Sequence, residues 1–177
     1  DLGLERDTLV MFMSDNGGSG NGGNAPLKGA KSSMWEGGLR VPFLARWPGR
    51  LPANAVTDEF LTSLELFPTL LAATGAKPPT GVKLDGFDMT PVLQGKAKSS
   101  RSEMFWERRN DRAARVGNWK WVESARGGGL FDLATDLGEK NDLSHQKPEV
   151  ALQIKAKFTA WKREMDASEP RGPFRDY

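Results

Sequence analysis

Two apolar runs near the start of the chain predict β-strands. Residues 8–13 carry no charge and stop at a polar Ser-Asp-Asn-Gly-Gly segment, a pattern typical of a strand buried on both faces. Residues 41–47 form a second run, which ends at a Pro-Gly turn. Residues 17–34, between the two runs, are rich in glycine, serine and asparagine without a period, so they are predicted to form a loop.

Residues 64–73 have the apolar spacing of a helix. Because Pro68 lacks a backbone N–H, it fits only in the first turn, which places the helix start near Leu64. Gly75 lies where a C-terminal cap is expected. Residues 77–101 are rich in proline, glycine, lysine and serine and predict a surface connection, with a short apolar anchor at 89–93.

The second half of the chain predicts an α+β layer. Short aromatic-rich segments separated by turn residues indicate an antiparallel sheet of about four strands, in which Trp119 and Trp121 share a face. Pro148 opens a helix whose apolar stripe can cover that sheet. The Pro/Gly/Arg-rich residues 169–177 are expected to be a loose tail. The predicted strands are 103–107, 113–116, 118–122 and 129–133, and the stripe is Val150, Ile154, Phe158, Trp161 and Met165.

Composition and charge exclude several classes of partner. The 25 basic and 23 acidic residues nearly cancel and are mixed along the chain, so neither a nucleic-acid nor a membrane partner is predicted. No apolar run is long enough to span a bilayer. The absence of cysteine excludes disulfides, thiolate metal sites and cysteine nucleophiles, and leaves the redox compartment undetermined. Since the chain opens without methionine and within an element, we expect it to be a piece of a longer protein.

The glycine-rich loop matches the pattern G-x-G-x-x-G between Gly18 and Gly23. A dinucleotide site needs a helix at the third glycine, because the pyrophosphate binds the free N–H groups of that helix. Pro26 and Gly29 make such a helix unfavourable. A flexible linker is the second interpretation. A linker alone does not explain why an Asp-Asn pair ends the preceding strand, which favours the third interpretation, an ion site.

Asp15 and Asn16 are the candidate metal ligands. They offer a carboxylate and an amide oxygen beyond the end of a strand, where ligands bind in open α/β sheets. Such hard oxygens suit Ca²⁺ or Mg²⁺, but Ca²⁺ takes about 6 to 8 ligands, so a complete site needs further groups from elsewhere. The alternative is a plain Asx turn.

Lys31 and its neighbours are the candidate anion-binding residues. A lysine that shares a pocket with a divalent cation implies an anion such as sulfate or phosphate between them, whereas the alternative is a solvated loop lysine. Glu36 and Arg40, around two glycines, are read as loop-shaping, with direct ligand contact as the alternative. Trp35 is the best candidate among the six tryptophans for stacking on a substrate, since the others have spacings typical of core residues.

Five segments follow one another along nearly the whole chain: TLVMFMSDNGG (8–18), LKGAKSSMWEGGLRVPFLARWPG (27–49), SLELFPTLLAATG (63–75), LDGFDMTPVLQG (84–95) and GLFDLATDLGEKNDL (129–143). In order and spacing they resemble the C-terminal part of type I sulfatases, a branch of the alkaline phosphatase superfamily. The resemblance implies that residues 1–75 end a catalytic α/β domain, with one strand and a metal and sulfate loop of its large sheet. It implies that 76–102 connect to a C-terminal sheet and helix at 103–168, before the tail at 169–177.

The resemblance also implies an activity, the hydrolysis of sulfate esters. Asp15 and Asn16 match two ligands of the active-site cation, usually Ca²⁺ with Mg²⁺ as the alternative, and Lys31 matches the catalytic lysine that binds the substrate sulfate. A formylglycine nucleophile is expected in a missing N-terminal part, which would be this chain's own partner. The substrate would be a sulfated small molecule or polysaccharide. A periplasmic or secreted location is expected, although the chain shows no signal peptide.

The chain also departs from the family pattern. It has no cysteine, and the segment that begins at Ser168 is one residue short of C/S-x-P-x-R, so the chain alone is expected to be inactive. His145, the only histidine, lies in a polar turn and is not expected to be catalytic. Two alternatives stay open: a metal-dependent phosphodiesterase or phosphatase of the same superfamily, and a noncatalytic carbohydrate-binding or interaction module.

Overall fold

The computed structural model describes residues 2–19 and 23–168. The chain divides into two compact units, one of Asp1–Met13 and Phe43–Ser102, the other of Ser14–Pro42 and Glu103–Tyr177. The predicted tail at 169–177 lies outside the described residues. In chain order the strands are β1 Val10–Met13, β2 Phe43–Arg46, β3 Glu103–Arg108, β4 Asp111–Val116, β5 Trp119–Ser124 and β6 Gly127–Asp132, and the α-helices are α1 Glu36–Leu39, α2 Leu66–Thr74, α3 Thr90–Leu93 and α4 Pro148–Ser168.

In the first unit, β1 and β2 pair antiparallel as a two-stranded sheet, with Phe12 opposite Leu44. The strand predicted at 8–13 is present, but the prediction that it is buried on both faces is wrong for this chain. Val10 is 49% exposed and Phe12 is 59% exposed. The reason is that the only described strand beside β1 is β2, and a two-stranded ribbon leaves apolar side chains uncovered.

Helix α2 follows the sequence prediction closely. A 3₁₀ turn at Ser63–Glu65 precedes it, Pro68 lies in its first turn, and Gly75 ends it in the left-handed conformation with a φ of 71°. Glycine is favoured there because it has no Cβ to strain this conformation. The predicted apolar anchor consists of α3, in which Val92 is buried, and of Met89 directly before it, which is also buried. Glu65 is fully buried and pairs with Arg101.

In the second unit, β3 to β6 form an antiparallel meander in sequence order. This confirms the predicted α+β fold class with a small antiparallel sheet covered by a C-terminal helix. Since successive side chains of a strand point to opposite faces, the sheet has two different apolar surfaces. One surface packs on α4, and the other packs on the loop that contains Met34 and Trp35.

Helix α4 covers the sheet through the predicted stripe. Ile154 and Phe158 are buried, and the Phe158 ring contacts the edge of Trp121 at a centroid distance of 5.5 Å. Trp161 stacks on Phe105 at 5.6 Å. Most residues of the predicted stripe therefore belong to the core between α4 and the sheet. Among residues 2–19 and 23–168, no helix combines the length and apolar character that crossing a bilayer would require.

Candidate functional site

The two predicted metal ligands lie on the turn that leaves β1. Asp15 is exposed and Asn16 is partly buried. Asn16 Nδ2 donates a hydrogen bond to Asp15 Oδ1 at 2.6 Å, and Ser14 Oγ donates to the Asn16 carbonyl at 2.8 Å. The carboxylate and the amide are therefore held against each other beyond the end of the strand.

Glycines allow this turn to pack directly on the backbone of α1. The Gly17 N–H donates to the Gly38 carbonyl at 3.1 Å. A Cβ at Gly17 would lie 1.7 Å from the carbonyl oxygen of Gly37, a distance that no side chain can accommodate. A Cβ at Gly38 would lie 2.3 Å from the Ser33 carbonyl oxygen. The Asp-Asn-Gly-Gly and Glu-Gly-Gly segments thus need glycine because two backbone segments meet there.

The loop after Gly18 is fixed by Asn24. Its Oδ1 accepts from the Gly18 N–H at 2.9 Å, and its Nδ2 donates to the carbonyls of Gly18 and Gly29, each at 3.1 Å. Residues 23–34 contain turns and no helix, so the helix that a dinucleotide site requires is missing from that stretch. The hydrogen bonds also disfavour the interpretation of residues 23–34 as a flexible linker.

Lys31 belongs to the same packed loop as the Asp-Asn turn. Its side chain is exposed, and its N–H donates to the Gly18 carbonyl at 3.0 Å. The backbone of the predicted anion-binding lysine therefore lies directly beside the segment that follows Asp15 and Asn16. The three residues proposed from the sequence for metal and sulfate binding thus lie on two neighbouring segments that are joined by a backbone hydrogen bond.

The described residues supply only part of a metal shell. Within 2–19 and 23–168, no group of three or more His, Cys, Asp or Glu side chains is arranged to hold an ion. Asp15 and Asn16 have the hard oxygens that Ca²⁺ or Mg²⁺ prefers, and their side chains lie next to each other in the turn. Asp15 and Asn16 therefore fit a cation only together with ligands from outside residues 2–19 and 23–168.

Three buried charged residues lie beneath the loop, and the sequence analysis missed two of them. Lys120 Nζ lies 2.7 Å from Glu36 Oε1 and 3.0 Å from Glu139 Oε1. The Glu36 N–H donates to Glu139 Oε2 at 2.6 Å. Lys120 and Glu139 are both 0% exposed. We call Glu36, Lys120 and Glu139 the buried charge cluster.

Burial shifts the pKa of Glu139 in this cluster and of Arg115 on the same sheet face. Removal from water raises the pKa of Glu139, against the opposing effects of Lys120 and of the hydrogen bond from the Glu36 N–H. Burial also lowers the pKa of Arg115. The positive charge of Arg40 lowers that pKa further, and the negative charge of Glu36 opposes both effects. Arg115 lies opposite Lys120 in the β4–β5 register. The sheet face under the loop thus combines apolar packing with paired charges.

Trp35 is part of the core under the loop. It is 5% exposed, packs edge-on against Phe131 at 5.5 Å, and has the Lys28 ammonium 3.6 Å from its ring centroid. Lys28 also donates to the Glu139 carbonyl at 3.2 Å. These contacts account for Trp35 without a ligand, and its contact with substrate stays a prediction.

Two other features include none of the residues of this loop. In the first unit, an open cavity of about 410 Å³ is lined in part by Trp47, Arg50, Asp88 and Lys96. In the second, His145 lies exposed in the turn before α4, as the sequence predicts. Neither contains Asp15, Asn16 or Lys31.

Comparisons with known proteins point to one family. A family model described as Sulfatase matches residues 1–76. The chain is 36% identical to arylsulfatase A from Homo sapiens over 211 residues, which cover 98% of the chain and 41% of that protein. It is similar to the crystal structure of Ps i-CgsB in complex with k-i-k-neocarrahexaose, with a TM-score of 0.79 and 32% identity over 89% of the chain and 37% of that structure.

A second solved structure agrees. The PsFucS1 sulfatase from Pseudoalteromonas sp. superimposes with a TM-score of 0.76 and 26% identity, over 93% of the chain and 38% of that structure. The chain therefore spans less than half the length of the relatives that it matches.

Proposed function

This chain belongs to the type I sulfatases of the alkaline phosphatase superfamily, and from that premise we propose that it forms part of the active site of a sulfuric ester hydrolase. The observation that carries the proposal is the packing of the Asp15–Asn16 turn against the loop of Lys31. Two side chains with hard oxygen ligands and a lysine on one packed loop suit the binding of a divalent cation and an oxyanion together.

Each residue has a distinct role in this proposal. Asp15 and Asn16 would hold Ca²⁺, or Mg²⁺ in its place, through their side-chain oxygens. When bound, the cation would supply Lewis-acid stabilisation of negative charge on the sulfate oxygens. The Lys31 ammonium would bind the sulfate and stabilise the charge that builds up as the ester bond breaks. The nucleophile, expected to be a formylglycine, would come from a part of the longer protein outside this chain.

The proposed substrate class is a sulfated carbohydrate or small molecule. The support is the similarity to Ps i-CgsB, whose structure contains k-i-k-neocarrahexaose. The remainder of the longer protein is the proposed partner of this chain. A periplasmic or secreted location is also proposed, and cell fractionation of the tagged full-length protein tests it.

The decisive experiment uses the full-length protein with its formylglycine-generating partner. Hydrolysis of an aryl sulfate is compared with that of the matching phosphate monoester and phosphodiester, before and after removal of metal with a chelator. We expect Asp15→Ala and Lys31→Ala each to lower kcat/KM by about 100-fold or more. Lys77→Ala, an exposed lysine of the other compact unit, serves as the control and should leave the rate unchanged.

The same experiment decides between the alternatives. Faster turnover of the phosphate esters would replace the proposal with a phosphatase or phosphodiesterase of the same superfamily. Binding of a sugar without hydrolysis and without dependence on Ca²⁺ would replace it with a noncatalytic carbohydrate-binding module.

A further inference from the structure

Burial of the three charged residues in the buried charge cluster carries an unfavourable desolvation free energy. Moving a carboxylate or an ammonium out of water costs several kcal/mol, and a buried ion pair can often be replaced by apolar residues without loss of stability. Lys120 nevertheless lies fully buried between Glu36 and Glu139. Stability alone is therefore a poor explanation for the cluster, and its geometry indicates another role.

Glu139 holds the Lys31 loop at two points. On one side of Lys31 along the chain, the Lys28 ammonium donates to the Glu139 carbonyl at 3.2 Å. On the other side, the Glu36 N–H donates to Glu139 Oε2 at 2.6 Å. A single residue of the segment between β6 and α4 thus anchors both ends of the stretch that presents Lys31.

Lys120 in turn fixes Glu139. Its ammonium lies 3.0 Å from Glu139 Oε1 and donates a hydrogen bond to Glu36 Oε1 at 2.7 Å. Because Lys120 is on a central strand of the four-stranded sheet, this contact connects the loop to a rigid part of the second unit. The Glu139 side chain is therefore clamped between the strand and the N–H at the start of α1.

The cluster also reaches the Asp15–Asn16 turn through the backbone. Helix α1 begins at Glu36, and its Gly38 carbonyl accepts the Gly17 N–H at 3.1 Å. The stretch between Lys28 and Glu36 meets the same turn where the Lys31 N–H donates to the Gly18 carbonyl at 3.0 Å. A shift of α1 would thus move Lys31 and the turn relative to each other.

We propose that Lys120 and Glu139 are positioning residues that, through Glu36, set the placement of Lys31 relative to the Asp15–Asn16 turn. The catalytic consequence rests on the proposed sulfatase function, whereas the positioning itself rests on the contacts of the cluster. Neither residue touches substrate in this proposal. Both act through the loop that they anchor.

The test compares Glu139→Gln with Glu65→Gln in the full-length protein. Both changes remove one negative charge from a fully buried side chain with a cationic partner, but Glu65 pairs with Arg101 in the other compact unit. The measurements are the Kd for Ca²⁺ by titration calorimetry, KM and kcat for an aryl sulfate, and the melting temperature. All binding data are taken well below the melting temperature of each variant.

We expect Glu139→Gln to raise the Kd for Ca²⁺ and the KM by about tenfold, as is typical when groups that orient metal ligands are lost. Glu65→Gln should lower the melting temperature and leave both constants unchanged. A Glu139→Gln protein that only melts earlier, with wild-type Kd and KM, would overturn the proposal. If Glu139→Gln does not fold, the triple variant Glu36→Gln, Lys120→Met and Glu139→Gln, which leaves no buried charge in the cluster, takes its place, with the same expectations.

Amide hydrogen exchange separates this inference from the proposed function. If the wild-type protein hydrolyses no sulfate ester, the sulfatase proposal fails, and exchange still decides the positioning role. In Glu139→Gln, the amides of Lys31 and Gly37 should exchange faster, while those of β5 keep their protection. Unchanged protection of the Lys31 loop would overturn the inference whatever the enzyme activity.

Discussion

At the scale of single residues, the absence of a side chain matters as much as the presence of one. Gly17 approaches Gly37 so closely that an added Cβ would lie 1.7 Å from its carbonyl oxygen. The neighbouring atom is backbone and cannot rotate away. The Asp15–Asn16 turn thus depends on the missing side chain of Gly17 as well as on its backbone N–H.

Gly17→Ala should lower the free energy of unfolding by about 1–3 kcal/mol or more, because the backbone must shift to admit the methyl group. It should also weaken Ca²⁺ binding by the full-length protein, since the turn and α1 must separate. Gly23→Ala is the control, because a Cβ there meets no atom of residues 2–19 and 23–168 within 4 Å. Urea unfolding and calorimetric titration measure both effects, and equal behaviour of the two variants would contradict the packing argument.

Asp142 provides a residue-scale prediction about pH. Partial burial opposes its ionisation, but hydrogen bonds from the backbone N–H groups of Leu130 and Ser144, at 2.9 and 2.8 Å, lower the pKa of Asp142. A lowered pKa means that the unfolded chain binds the proton more readily. The stabilisation is therefore present above the unfolded pKa of about 3.9 and is lost as the pH falls through the folded value.

Asp142→Asn should therefore destabilise the protein at pH 7 by less than about 1 kcal/mol, a small value because the side chain is largely exposed to solvent. The difference from wild type should shrink as the pH falls below about 4. Urea unfolding at a series of pH values measures it. A difference that stayed constant down to the lowest pH would show that the charge of Asp142 is not responsible.

At the scale of elements, α4 owes its position to the apolar face that it shares with the sheet. Phe158 is 5% exposed and contacts Trp121, Phe105 and Trp161. The helix has further ion pairs with β3, from Lys157 to Glu103 and from Lys162 to Glu107. These pairs are partly exposed and contribute little, so aromatic burial holds the helix.

Phe158→Ala should cost about 3–5 kcal/mol of unfolding free energy, because it leaves a cavity among three aromatic rings. Leu152→Ala is a matched control on the same helix, since Leu152 is 68% exposed. Its effect should stay within about 0.5 kcal/mol. Denaturant unfolding of both variants makes the comparison, and similar losses would mean that α4 is held by other contacts.

At the scale of the whole molecule, the two compact units differ in how well their sheets are covered. The four-stranded sheet has apolar cover on both faces, whereas the β1–β2 ribbon leaves Val10, Phe12 and Leu44 between 49% and 65% exposed. A two-stranded sheet is marginally stable without further packing. The proposed remainder of the longer protein would supply that packing.

In the 177-residue chain, the amides of β1 and β2 should therefore exchange with solvent much faster than those of β4 and β5. In the full-length protein, the β1 and β2 amides should become protected. Hydrogen exchange with mass spectrometry on both proteins measures the change. Equal protection of the two sheets in the 177-residue chain would show that the ribbon needs no further cover.

The sequence by itself determined the local elements. The start of α2 near Pro68 and its end at Gly75 follow from the missing N–H of proline and the missing Cβ of glycine, which act within one turn of helix. The strands of the meander and the face of α4 follow from periods of about 2 and 3.6 residues. The sequence also singled out Asp15, Asn16 and Lys31, although their roles stay predictions.

Only the tertiary structure decided which segments cover which faces. The alternation around Lys120 places it on the sheet face opposite Trp119 and Trp121, where a lysine in a strand would be read as exposed to solvent. It is buried because a loop far away in the chain, with Glu36 at its end, closes over that face and supplies a carboxylate. Such a contact depends on the meeting of distant segments, and no local period of the sequence encodes it.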